Sequence, residues 1–145
     1  MAGKEELKSF DFVLFPEMPG MILAEVKGRT FKGGSFAGLG GLDCWTTAED
    51  VEALLKWEEL FRGQHACCRS MFVFAFRLEQ ADVDSDGLEI FTCDDRRYVF
   101  FALEAAAYHK RCRRRSPQWR TVTLCADDFR SIAVPLREFI ETARV

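Results

Sequence analysis

Phe10-Asp-Phe-Val-Leu-Phe-Pro-Glu-Met-Pro-Gly-Met-Ile-Leu-Ala-Glu-Val-Lys27 is the stretch that decides the fold. Residues 10–15 and 21–26 are strand-like apolar runs, and residues 16–20 between them hold two prolines and a glycine. Two such runs around a short Pro/Gly segment read as a β-hairpin. A turn centred on Met18 sets Asp11 opposite Glu25, because both are equidistant from it. Directly opposed side chains share a face, with Cβ atoms ~4.5–5.5 Å apart. The period of two along a strand puts Lys27 on the face of Glu25 and sends Ala24 and Val26 the other way, into the core. Two carboxylates and one ammonium are therefore expected to converge at one edge of an otherwise apolar hairpin.

Beyond the hairpin, residues 32–41 carry five glycines. They contain no Walker-type or dinucleotide-type glycine pattern, so a mobile loop beside a site is expected and a nucleotide loop is not. A short strand is expected near residues 42–45. Thr47 followed by Ala48, Glu49 and Asp50 reads as a helix start, with a capping hydroxyl and acids at the positive end of the dipole. Val51, Leu54, Leu55, Leu60 and Phe61 continue a helical stripe, which should stop near Gly63. Met71-Phe-Val-Phe-Ala-Phe76 is apolar at every position, as in a strand covered on both faces. Further strands are expected over 88–92 and 98–103, with Asp94-Asp95 in the turn. A helix is expected over 105–114, an extended piece over 121–124, and a tail helix over 127–143 broken at Pro135. This succession predicts an α/β or α+β domain with a mixed sheet flanked by helices.

The 145 residues are 48% hydrophobic and 30% charged, enough for a single domain over 1–145 with a sizeable core. A net charge of −3 argues against a protein coated in polyanion but leaves room for a local basic site. No apolar run reaches the ~20 residues of a membrane helix. The start, MAGKEELKSF, has no apolar signal region, so a cytoplasmic protein is expected. Six cysteines form no C-x-x-C pair, and His65 and His109 are not at zinc spacing from them. The adjacent Cys67-Cys68 pair reads as packing and not chemistry, and reduced thiols in a cytosol are the default.

Three patterns bear on chemistry. Asp82-Val-Asp-Ser-Asp-Gly87 begins like an EF-hand loop, but Cys93 stands where the bidentate Glu belongs, which favours a solvated acidic loop. Residues 105–120 hold Lys110, Arg111, Arg113, Arg114, Arg115 and Arg120 and no acid. Counterion release makes such a cluster a natural phosphate contact, and Tyr108 and Trp119 could stack on bases or sugars. The competing reading pairs these arginines with the acids of residues 79–95, or leaves them as a solvated face.

The third pattern is Asp11 with Glu25-x-Lys27. The Asp/Glu-x-Lys spacing alone is weak, since about one match arises by chance at this composition. Glu6-x-Lys8 also matches and is set aside as N-terminal tail. Two close carboxylates repel unless a cation sits between them. Magnesium takes oxygen ligands and is often held by one or two carboxylates plus phosphate and water. Such a metal polarises a phosphodiester, and Lys27 would orient the attacking water or stabilise charge on the phosphorus oxygens. The bland alternative is a surface ion network with Lys27 bridging Asp11 and Glu25.

With Ser9-Phe-Asp11-Phe, Glu25-Val-Lys27-Gly-Arg29 and the helix that follows, the chain resembles the PD-(D/E)xK nuclease superfamily. It is most similar to the uncharacterised HYExAFE family, through Leu7-Lys-Ser-Phe-Asp-Phe12, Val26-Lys-Gly-Arg29, residues 45–61, Tyr98 and Arg115-Ser-Pro-Gln-Trp119. The resemblance implies a restriction-endonuclease-like fold and magnesium- or manganese-dependent cleavage of DNA or a similar nucleic acid. It implies Asp11 and Glu25 as metal ligands with the Val26 carbonyl, and Lys27 as the catalytic lysine. Phe10 stands where the superfamily motif has proline. Only ten residues precede Asp11, so the family's opening helix with its His-Tyr-Glu signature is expected to be missing. That implies a shortened form, or a site completed by a partner.

Three functions follow as expectations. The first is a metal-dependent nuclease on DNA, with Lys110, Arg111, Arg113, Arg114, Arg115, Trp119 and Arg120 on the nucleic acid. The second is a binding module that keeps the nuclease fold without cutting. The third is a protein-interaction domain. A homodimer would suit cutting of two strands, but no interface is legible in the sequence.

Overall fold

The computed structural model describes residues 6–16, 20–36, 42–64 and 67–142. In chain order the elements are β1 (Phe12–Leu14), β2 (Met21–Phe31), β3 (Thr46–Thr47), α1 (Ala48–Arg62), β4 (Cys68–Leu78), β5 (Phe91–Cys93), β6 (Arg96–Glu104), α2 (Ala105–Arg111), β7 (Arg113–Ser116), β8 (Thr121–Thr123), α3 (Ala126–Ile132), β9 (Val134–Pro135) and α4 (Leu136–Thr142). The main sheet runs β1-β2-β4-β6-β5, with β9 also on β6, and β3-β8-β7 form a second, antiparallel sheet. The main sheet is mixed, because β2 and β4 are parallel and the other pairs antiparallel. No described helix is long and apolar enough to cross a membrane.

The central strand β4 is apolar because helices cover both its faces. Phe72, Phe74 and Phe76 are fully buried on the side of α1, α2 and α3, in one cluster with Leu23, Phe31, Leu54, Tyr108 and Phe129. Tyr108 packs on Phe72 and Phe74, and Phe129 meets Phe74, Phe76 and Phe101 edge-on. Each such ring contributes roughly 1.5–3 kcal/mol through burial. On the opposite face Ile22, Ala24, Met71, Val73 and Ala102 pack beneath Phe139 of α4.

The hairpin register agrees with the one read from sequence. Phe12 faces Ala24, Val13 faces Leu23, and Leu14 faces Ile22. Its centre, Met18, lies outside the described residues. The cap of α1 also agrees: Thr47 is extended and its Oγ1 accepts the Asp50 N–H at 3.1 Å. Gly63 follows the helix with φ −63°, so the helix ends without the left-handed glycine of a Schellman cap. Asp94 and Asp95 both have positive φ, 48° and 61°, as a tight turn matched to strand twist requires.

Element bounds differ from expectation in places. The helix over 105–114 ends at Arg111, where the Cys112 N–H closes on the Tyr108 carbonyl, and Cys112 turns extended with ψ 150°. The arginine run lies instead on β7, where alternation spreads its charges that a helix would stack one turn apart. The tail breaks at Pro135 as expected, into two seven-residue helices separated by β9, since Pro135 cannot continue a helix and Val134 pairs with Ala102. The short strand near 42–45 falls at Thr46–Thr47. The glycine-rich loop is anchored at its start: Gly34 accepts from the Asp84 N–H at 2.8 Å, and the Phe36 N–H donates to the Asp84 carbonyl. Phe36 stacks on Phe31 at 4.1 Å. Residues 37–41 of that loop lie outside the described ones.

Candidate active site

β1 pairs with β2 only as far as Ala24, so from Glu25 on that edge of β2 has no strand beside it among the described residues. Asp11 sits where that edge begins. Its N–H donates to the Ala24 carbonyl at 3.1 Å, and its Oδ2 accepts the Val26 N–H at 2.8 Å. Asp11 thus holds both neighbours of Glu25, and the register extended by one residue sets it against Glu25. A side-chain acceptor on an exposed edge N–H also blocks pairing with another strand.

Glu25, Lys27 and Arg29 alternate along β2 toward the α1 side. Lys27 Nζ lies 2.5 Å from Asp50 Oδ2 and 3.5 Å from Glu25 Oε1. Asp50, in the first turn of α1, is the part that sequence reasoning missed. Its side chain is 2% exposed, with Lys27 on Oδ2, the Lys8 ammonium on Oδ1, and the Thr46 hydroxyl donating to Oδ2 at 3.2 Å. Burial pushes the Asp50 carboxyl up, but the hydrogen bonds from Lys27 and Lys8 outweigh it and hold the group down at about 2. Lys8, set aside above as tail, is an anchored residue: its carbonyl accepts from Trp57 Nε1 at 2.8 Å, and Phe10 packs on Trp57 and Phe61. The signal for it in the sequence is the pair of acids in the first turn of α1, which a dipole complement would also explain.

Glu25 responds in the opposite sense. Burial raises its pKa, Lys27 opposes that, and the Asp11 and Asp50 charges raise it again. The ion network differs from the expected one, since Lys27 bridges Glu25 and Asp50 and not Asp11. The donor set nevertheless suits a hard divalent cation. Asp11 and Glu25 are neighbouring carboxylates, and Glu25 resists ionisation where no cation compensates it. With the Val26 carbonyl they would supply one side of an oxygen shell. Among the described residues no group of three or more His, Cys, Asp or Glu side chains meets in metal-binding geometry.

The predicted basic residues divide. Arg111 is tied down, to the Ser131 hydroxyl at 2.6 Å and Asp128 at 3.7 Å. Lys110, Arg113, Arg114 and Arg120 are exposed, and Trp119 is 70% exposed. None of these cations pairs with a described acid of residues 79–95; Glu89 pairs with Arg137 instead. Register slips between Arg114 and Ser116, which makes Arg115 the extra residue of a bulge. The bulge re-aims its side chain, and the guanidinium lies 5.0 Å from the centre of the Trp45 ring. Arg29 lies 4.0 Å from the same ring and donates to the Trp45 carbonyl. Arg29, whose pKa is lowered by burial, therefore links the basic hairpin to the strand that carries Glu25 and Lys27.

No protein-family model matches this chain, and no curated protein or solved structure matches it either.

Proposed function

We propose that the chain is a metal-dependent phosphodiesterase acting on DNA, built on a restriction-endonuclease-like core. The observation that carries this reading is the hairpin register, which sets Asp11 beside Glu25 with Lys27 two residues further along the same face. Asp11, Glu25 and the Val26 carbonyl hold magnesium or manganese. When bound, the ion supplies Lewis-acid charge at the scissile phosphodiester. Lys27 donates hydrogen bonds to the phosphate oxygens or to the attacking water. Asp50 is a positioning residue that fixes the Lys27 ammonium from the side away from substrate. Arg113, Arg114 and Arg115, with Trp119 at the end of their hairpin, hold the nucleic-acid backbone.

A second reading has its own support. Asp50 already meets two ammonium groups, and Lys27 is shared between two carboxylates, so much of the network is charge-compensated without an added ion. That favours a binding module of the same fold that does not cut.

Nicking of supercoiled DNA separates the two. The nuclease nicks with Mg2+ or Mn2+ and stops in EDTA. Lys27→Ala, Asp11→Asn and Glu25→Gln lose nicking and keep DNA binding. Binding by the wild type with no metal-dependent cleavage refutes the first reading in favour of the second.

A further inference from the structure

The α4 face of the main sheet changes character along its length. Under α4 it is apolar: Ala24, Met71, Val73 and Ala102. Further along, the same rows continue as Gly28 beside Ala75 beside Phe100, which still packs on the α4 side, and Thr30 beside Arg77 beside Tyr98. Gly28 and Ala75 form the floor at the β2–β4 end, and Arg77 and Arg96 rise beside it. With Arg29 and Lys32 from β2 and the segment after it, and Arg96 from β6 across β4, this end of the sheet forms a groove of about 570 Å³. Its lining holds four cations and one carboxylate, Asp43, in a chain whose net charge is −3. Among the described residues no acid forms an ion pair with Lys32, Arg77 or Arg96, although Arg77 reaches the Thr30 hydroxyl at 3.5 Å. Trp45 and Tyr98 supply aromatic walls. Nothing lies within 4 Å of a Cβ built on Gly28, so its missing side chain serves no packing within the fold and leaves the floor open.

A groove with a flat small-residue floor, aromatic sides and unpaired guanidinium groups matches a planar base joined to phosphate. Its volume suits one or two nucleotide units. A duplex, with its bases stacked inside, can offer the groove only backbone. The Arg29–Trp45–Arg115 stack leads from this groove to the basic hairpin, which gives a bound strand a continuous cationic path.

We propose that this groove seats a single-stranded segment of nucleic acid, with phosphates on Arg77, Arg96 and Lys32 and a base on the Gly28–Ala75 floor beside Tyr98. This deepens the functional reading above and rests on it for the identity of the ligand as nucleic acid, but it needs neither metal nor cleavage.

The test is fluorescence anisotropy with a labelled twelve-nucleotide oligo(dT) and a duplex of equal length, in EDTA throughout. Gly28→Leu has room for its Cβ and fills the floor; it should weaken strand binding at least tenfold and duplex binding less than threefold. Arg77→Gln with Arg96→Gln should weaken strand binding and lower the slope of log affinity against log salt by about 1.4, from roughly 0.7 per phosphate contact. Thermal melting confirms that both variants are folded. Unchanged strand affinity in Gly28→Leu or in the double variant overturns the inference, as does equal loss for strand and duplex. Displacement of the oligomer by dTMP at matched nucleotide concentration would assign the groove to a free nucleotide and overturn it too. Absence of metal-dependent nicking with these groove effects intact removes the nuclease reading alone.

Discussion

Replacing Asp50 by Asn removes the carboxylate on which Lys8 and Lys27 meet, and the structure gives the size of the loss. The group falls from its ordinary 3.8 to about 2 in the folded chain. At about 1.4 kcal/mol per unit, that corresponds to about 2 kcal/mol of native-state stability. The folded value lies below the unfolded one. The contribution is therefore complete above pH ~4 and declines as pH falls through 3.8, and little of it remains once pH reaches about 2. Removing one partner of a buried pair typically costs ~3–5 kcal/mol. Here Lys8 is 42% exposed and relaxes into water, and Lys27 keeps Glu25, so the lower figure applies. Urea unfolding followed by tryptophan fluorescence, from pH 7 to pH 2, should show Asp50→Asn less stable by about 2 kcal/mol at neutrality, with the two curves converging at the acid end. A difference below about 0.5 kcal/mol at pH 7, or one that persists unchanged at pH 2, would refute the network as described.

Three further outcomes are expected. Glu25 is held above its ordinary value, so its ionisation costs stability as pH rises through 4.5 and beyond; Glu25→Gln should melt higher than wild type at pH 7, the gap should close below pH 4, and Mg2+ should raise the wild-type melting temperature but not the variant's. Changing Arg113, Arg114 and Arg115 together to Ala should weaken duplex binding and reduce its salt slope by roughly 2–3, measured by anisotropy from 50 to 200 mM salt. Tyr108→Phe deprives the Cys44 carbonyl of its donor at 2.6 Å and the Val122 carbonyl of one at 3.3 Å, so chemical denaturation should show a loss of about 1–3 kcal/mol.

The hairpin was readable because every local signal agreed: apolar runs, a Pro/Gly break, and a register that buries one face. The capping Thr47 was readable for the same reason. Asp50 was not, since an acid in a first helical turn has the same sequence signature whether it complements the dipole in water or receives two ammonium groups in a buried cleft. Lys8 carries no periodicity at all; only the docking of Phe10 on Trp57 and Phe61 brings it to Asp50. The arginine run misled because helical propensity in Arg and Lys is high, and the tertiary pairing of β7 with β8 overrides it. The groove was hidden because its residues come from β2, β4, β6 and the segment before β3, and no linear pattern unites them.

Whether Asp11 and Glu25 share one divalent ion is decided by diffraction from crystals soaked in Mn2+. The expected result is an anomalous peak between the two carboxylates within ~2–2.5 Å of their oxygens and of the Val26 carbonyl, absent in Asp11→Asn. Mn2+ density only at the acidic loop of residues 82–87, or none at the hairpin with Lys27 still bridging Glu25 and Asp50, would contradict it.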